Sequence, residues 1–204
     1  MDATRRLVLA THNKDKQKEF SELLTELGIE VLTLDSFPQI GEIVEDGETL
    51  NENALKKARE VFRQTGLPSL ADDTGLEVFY LNGAPGVYSA RYAGEGVSYA
   101  QNVAKLLQEM LGVPERRRQA QFRCVLSLVG WKSEPIFAEG TCPGTITEEP
   151  TGTNGFGYDP VFLPSGFDRT FAELSHFEKN SISHRGLAAR ALKKILQEER
   201  LKDY

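Results

Sequence analysis

Two cysteines, Cys124 and Cys142, are all that this 204-residue chain carries. That is too few for a disulfide framework, and their separation gives no zinc-ligand spacing. Each lies in a stretch that reads as a strand, so both are expected to be core thiols. Long apolar runs are missing too. Near the start only Leu7–Ala10 is continuously apolar, too short for a membrane span or a signal peptide. The expectation is a cytoplasmic protein with no membrane attachment. A basic excess is also absent: the formal net charge is -6, which argues against long nucleic acid as a partner and leaves room for a small phosphate-bearing molecule where cations gather locally. What is present is 40% hydrophobic residues, enough to bury a core without staples in one domain of two lobes.

Periodicity orders the elements. Leu7–Ala10 reads as a buried strand, and Phe20, Leu23, Leu24 and Leu27 fall at helical spacing before Gly28, a helix stop. Ile29–Leu34 predicts a second strand. A helix starts near Thr49, which with Glu52 has capping-box spacing, and Leu55, Ala58 and Phe62 form its apolar face. Ser69–Ala71 reads as a short strand ending at Asp72 and Asp73, with Leu76–Leu81 a separate strand closed by Asn82-Gly83. Val103, Leu106, Leu107 and Met110 mark a helix stopped by Gly112 and Pro114. Alternation at Ala120, Phe122, Cys124, Leu126 and Leu128 predicts a long half-buried strand, with Ile136–Thr141 as its antiparallel neighbour. Gly152–Asp159 reads as a loop, Val161–Leu163 as a short strand, and a last helix begins after Ser183 with Ala188, Ala191, Leu192 and Ile195 inward. No repeat or linker is evident, so residues 1–204 read as one α/β domain with a mixed sheet.

Four clusters have chemistry to offer. Thr11, Asn13 and Lys16 sit between a strand and a helix start, where backbone N–H groups, a hydroxyl and an ammonium suit a polyphosphate. The turn lacks the glycines of a Walker loop, and Asn13 also suits a plain helix cap. Glu45, Asp46, Glu48 and Glu52 precede one helix, and Asp72 and Asp73 end a strand. Magnesium takes one or two carboxylates with phosphate oxygens and water, while Glu52 alternatively completes its capping box. In the third cluster, Gly155–Pro160, an aromatic ring between glycines is able to stack on a base. In the fourth, Lys179, His184 and Arg185 bring cations to an apparent helix N-terminus, where the dipole disfavours them; an anionic ligand or another function would compensate, and a solvated basic patch is the plain alternative.

In this order, the stretches Leu9–Lys16, Glu45–Ala58, Ala71–Leu76, Gly83–Tyr92, Gly155–Phe162 and Lys179–Gly186 resemble the inosine triphosphate pyrophosphatase family. The resemblance implies an elongated α/β fold, a mixed β-sheet flanked by helices, with an active-site cleft between two lobes, and a homodimer. It implies magnesium-dependent hydrolysis of non-standard purine nucleoside triphosphates (ITP, dITP, XTP) to the monophosphate and pyrophosphate. Residue by residue, Thr11, Asn13 and Lys16 match the phosphate-binding turn, and Lys179 a further substrate-binding lysine. Asp73 matches the catalytic acid-base and metal position, with Thr74 beside it on the substrate and Glu45 the upstream metal ligand. Phe156, Gly157, Tyr158 and Asp159 match the nucleobase loop, and His184 with Arg185 the pair that reads the oxidised purine edge. The chain departs from many relatives at His12, where they carry glycine, and at Thr74, where they carry serine. Two other readings stay open: a pyrophosphatase for pyrimidine triphosphates, and a non-catalytic nucleotide sensor in which the aspartate pair is structural.

Overall fold

A computed structural model describes residues 6–25 and 29–202. Leu27 and Gly28, the expected end of the first helix, lie outside the described residues. The chain divides into two compact units, one formed by Met1–Asp73, Cys124–Gly140 and Arg185–Tyr204, the other by Thr74–Arg123 and Thr141–His184.

In the first unit, β1 (Arg6–Leu9) runs parallel to β2 (Glu30–Thr33) and to the start of β3 (Ser69–Val78), with Val8 opposite Ser69 and Leu9 opposite Leu70. Strands joined in parallel need a crossover, and here helices α1 (Lys14–Thr25) and α2 (Leu50–Thr65) lie in the connections. Their apolar sides build two clusters. Leu7, Leu9, Phe20, Leu24, Cys124 and Leu126 pack with Ala188 and Leu192 of α5 (His184–Lys202); Val8, Ala10, Ile40, Ala58 and Val61 form the other. The expected capping box opens α2: the Thr49 hydroxyl accepts from the Glu52 amide at 3.2 Å and the Glu52 carboxylate accepts from the Thr49 amide at 3.0 Å. Its buried face, however, is Leu50, Asn53, Ala54, Lys57, Ala58 and Val61. Leu55 and Phe62 are only partly covered, so the inward stripe is rotated from the expected one and carries two polar residues.

The second unit continues β3 into a hairpin with β4 (Pro85–Gly86), followed by α3 (Tyr99–Glu109), β5 (Gln119–Val129), β6 (Ile136–Ile146), β7 (Phe162–Pro164) and α4 (His176–Ile182). Strands β5 and β6 contribute residues to both units. The mixed sheet has the order β2-β1-β3-β5-β6-β7, with β4 on β3 and β7 antiparallel to β6. Leu76, Val78, Leu106, Met110, Phe122, Phe162 and Phe171 make this unit's own core.

Three expectations change. Asp72 and Asp73 do not end a strand, because β3 runs unbroken from Ser69 to Val78. At Gly75 an added Cβ would stand 2.6 Å from the Gly86 carbonyl oxygen; that glycine serves close strand approach rather than a turn. The final part of the separate strand expected over Leu76–Leu81, residues Phe79–Leu81, is a 3-10 turn. Strand β5 is half-buried only at its start and is covered on both faces from Cys124 onward, whereas β6 is the strand that alternates. A helix also precedes Ser183: α4 begins with a capping box from Ser175 and Glu178, too short for its period to register.

Candidate active site

The first unit concentrates buried charge where β3, α1, α2 and the start of α5 supply side chains. Asn13 caps α1, its amide oxygen accepting from the Asp15 and Lys16 backbone N–H groups at 3.0 and 3.1 Å, while the Thr11 hydroxyl accepts from the Asn13 N–H at 3.2 Å. The Asn13, Asp15 and Lys16 N–H groups are therefore engaged by the turn's own side chains, and Lys16 adds an ammonium. That ammonium lies 2.8 Å from the buried Asp72 carboxylate. Arg185 donates to buried Glu19 at 3.1 Å and stands 3.9 Å from Asp72. Carboxylates of the protein itself thus offset the cation at the α5 N-terminus, the alternative to a ligand that the sequence pattern left open.

Lys57, which the sequence reading passed over, is the centre of the acidic pair. It is 6% exposed; its ammonium hydrogen-bonds Glu45 and lies 3.5 Å from Asp73 Oδ1. Burial alone would lower its pKa, but Asp73, Glu45 and Asp72 outweigh that and hold it charged. Neighbouring aspartates respond in opposite ways. Burial pushes the Asp73 carboxyl above its ordinary value, with Lys57 and Lys16 opposing and Glu45 and Asp72 adding to the rise. Burial acts on Asp72 as well, yet Lys16, Lys57 and Arg185 bring it down to about 2. Asp72 is accordingly the committed counter-ion of a cationic cluster, and Asp73 is the more basic carboxylate, the one suited to accept a proton.

Among the described residues no group of three or more His, Cys, Asp or Glu side chains converges, so no all-protein metal cage exists there. A divalent cation that completes its shell with phosphate and water needs less. Asp73 Oδ2 is buried without a hydrogen-bond partner, an acceptor left for something not supplied by the protein. Together with half-buried Glu45 it offers the one or two hard oxygen ligands that magnesium prefers, and the residues fit such an ion. A cavity of about 670 Å³ lies elsewhere in this unit, bordered by Ile43, Leu55, Arg59 and Arg63 among others. It includes none of Lys16, Glu45, Lys57, Asp72 and Asp73, and we place the chemistry with the buried charges.

The second unit holds the aromatic residues among the candidate site residues. Phe156, half-buried in the loop, lies 5.7 Å from the Tyr99 ring between centroids. Its N–H donates to Asp159 Oδ2 at 2.8 Å, and the same oxygen accepts from Lys179 at 2.7 Å. The Lys179 ammonium sits 5.1 Å from the Phe156 ring centroid, within cation–π range. Gly155 has a φ of +72°, and an added Cβ would collide with Asp159 Oδ2 at 2.0 Å, so glycine is what lets the loop close on that carboxylate. Tyr158 is buried and its hydroxyl donates to the Ser89 carbonyl at 3.0 Å; it anchors the loop from below. His184 stacks on Phe122 at 4.5 Å with 16° between ring planes. Lys179 proves to lie in the last turn of α4, where the dipole favours a cation, not at a helix start.

Thus the structure brings Thr11, Asn13, Lys16, Glu45, Asp73 and Arg185 into the first unit, and Thr74, Phe156, Gly157, Tyr158, Asp159, Lys179 and His184 into the second. Buried lysine–carboxylate chemistry and an aromatic loop held by a lysine are what a small molecule with both a phosphate and a flat ring requires. The comparisons narrow this. The Ham1 family profile matches residues 7–195, and the chain belongs to that family. A dITP/XTP pyrophosphatase of Desulfotalea psychrophila is 50% identical over 187 residues, 92% of this chain and 83% of that one. A dITP/XTP pyrophosphatase of Shouchella clausii is 49% identical, covering 94% and 96%. The solved structure of a HAM1 protein from Coxiella burnetii superposes with a TM-score of 0.86 at 43% identity, covering 95% of this chain and 99% of that one.

Proposed function

We propose that the chain hydrolyses deaminated or oxidised purine nucleoside triphosphates, the class of dITP, ITP and XTP, to the nucleoside monophosphate and pyrophosphate. The observation that carries this reading is Lys57 buried between Glu45 and Asp73, with Asp73 Oδ2 left as an unfilled acceptor. The relatives' names, dITP/XTP pyrophosphatase, supply the substrate class. Water attacks the α-phosphorus, the bond from that phosphorus to the α–β bridging oxygen breaks, and pyrophosphate leaves with the electron pair. Asp73 takes the proton of the attacking water, which its raised pKa favours. Lys16 and Lys57 offset the phosphate charge, and Asp72 keeps Lys16 directed. Magnesium would be held by Glu45 and Asp73 and, when bound, polarises phosphate oxygens and neutralises their charge.

In this reading the base stacks on Phe156, which Lys179 and Asp159 hold in place. Arg185 donates hydrogen bonds only; a 6-oxo group accepts them, whereas the 6-amino group of adenine meets donor with donor. Its contacts with Glu19 and Asp72 favour a second reading, in which Arg185 supports the charged cluster instead. The protein acts as a homodimer on the cytoplasmic nucleotide pool. The deciding experiment is a panel of ITP, dITP, XTP, ATP, GTP and pyrimidine triphosphates with magnesium, scored separately for pyrophosphate and orthophosphate. Pyrophosphate from ITP and XTP is expected; sequential orthophosphate, preferred pyrimidines, or binding without turnover would each overturn the proposal.

A further inference from the structure

Asn53 is 1% exposed on the inward face of α2, one turn before Lys57. An amide is a poor choice for a buried helix position, where an aliphatic side chain would fill the space without polar groups to satisfy. Its Oδ1 accepts from the Gly47 backbone N–H at 2.8 Å, which fixes the orientation of the amide, and its Nδ2 is buried without a hydrogen-bond partner. Packing alone does not account for a residue that leaves a donor unmatched. From the other side, Gly47 is shaped to the contact: an added Cβ would stand 2.7 Å from Asn53 Oδ1 and 2.8 Å from Glu52 Cβ.

We propose that Asn53 is a positioning residue that, by holding Gly47, sets the acidic 45–48 segment so that the Glu45 carboxylate stays beside Asp73. This rests on the reading of Glu45 and Asp73 as the metal-binding pair. The segment has other ties to α2: Asp46 pairs with Lys56 and the Glu48 N–H donates to Glu52, but both contacts are exposed and exposed ties hold a loop weakly. Glu45 itself is bound to Lys57. An ammonium and a divalent cation would compete for the same carboxylate, so that bond would slacken on metal binding. The Gly47–Asn53 hydrogen bond is neutral, and it survives that exchange of charge.

The test combines backbone amide exchange with metal titration on the full chain. In metal-free protein, Asn53→Ala should speed exchange in residues 45–48 at least about tenfold, with β2 unchanged. The apparent magnesium activation constant for ITP hydrolysis should rise about tenfold, as for lost support of a metal ligand, with kcat at saturating magnesium within about threefold of wild type. Asn53→Asp retains an acceptor for Gly47 and should keep the exchange protection; Gly47→Ala should reproduce the loss from the loop side. Unchanged exchange in a folded Asn53→Ala or Gly47→Ala variant overturns the proposal, as does faster exchange with an unaltered magnesium constant. Should Asn53→Ala not fold, Gly47→Ala and Asn53→Asp decide. If wild type does not hydrolyse ITP, the proposed function fails, while the exchange measurement still decides what Asn53 holds.

Discussion

In the first unit the buried charges are set against one another: Lys16 on Asp72, Lys57 on Glu45 and Asp73, Arg185 on Glu19. In the second unit one buried ion pair, Lys179 with Asp159, lies among rings, with Phe156 and Phe171 beside the ammonium and His184 flat on Phe122. Each unit, taken by itself, suits a different chemistry. A triphosphate needs charge that is already arranged before it binds; a purine needs a flat apolar face with a few fixed polar contacts. A defect in the first unit should therefore appear in turnover, and a defect in the second in binding and selectivity.

The largest effect expected is at Asp73. Asp73→Asn keeps the shape and removes the proton acceptor, so kcat for ITP should drop about a hundredfold or more. Because burial raises the Asp73 pKa, its ionised form costs stability at neutral pH, and the metal-free variant should melt no lower than wild type. Equal turnover would assign Asp73 to structure and erase the contrast between the units.

Arg185→Ala sharpens the boundary between the two roles. If Arg185 reads the base, catalytic efficiency for ITP should fall by about a hundredfold and for ATP by far less, since polar mismatch is what separates the two bases. An equal fall for ITP, ATP and GTP would place Arg185 with the phosphate-binding charges.

The neighbouring aspartates give a pH test of opposite sign. Asp72 has its pKa lowered from 3.8 to about 2 by Lys16, Lys57 and Arg185, against burial. Its contribution to stability is thus complete above its unfolded value and is lost as pH falls from there through about 2, an effect of about 2 kcal/mol. Asp73, raised, contributes the other way: its share is present below the unfolded value and lost as pH rises. Denaturant unfolding of metal-free protein between pH 6 and 2.5 should be steeper with pH in wild type than in Asp72→Asn; identical slopes would remove Asp72 from the account.

The smallest effect belongs to the ring. Phe156→Ala should raise KM for ITP about tenfold with little change in kcat, in line with the loss of one base–aromatic stack. A fall in kcat with KM unchanged would mean that the loop serves the chemistry.

Local signals were legible where a residue's role is played out among its near neighbours. Thr49 and Glu52 announce the start of α2, Gly155 closes its loop on a carboxylate four residues on, and Asn13 caps α1, as the plainer of its two readings held. Legibility failed where polarity and burial disagree. Lys57 and Asn53 read as the wet side of an amphipathic helix, because a sequence pattern ranks side chains by solubility and cannot see a carboxylate arriving from β3 or a backbone N–H from the 45–48 segment. Asp72 and Asp73 read as a strand end for the same reason: β-strand interiors disfavour aspartate, and only Lys16, Lys57 and Arg185, brought in from three helices, make that position tolerable. The amino-acid sequence by itself determined most of the α/β order of elements, the Asn13 and Thr49 caps and the family, because these depend on periodicity and neighbours. The tertiary structure alone decided which aspartate has its pKa lowered and which has it raised, because a buried carboxylate takes its pKa from charges remote in sequence.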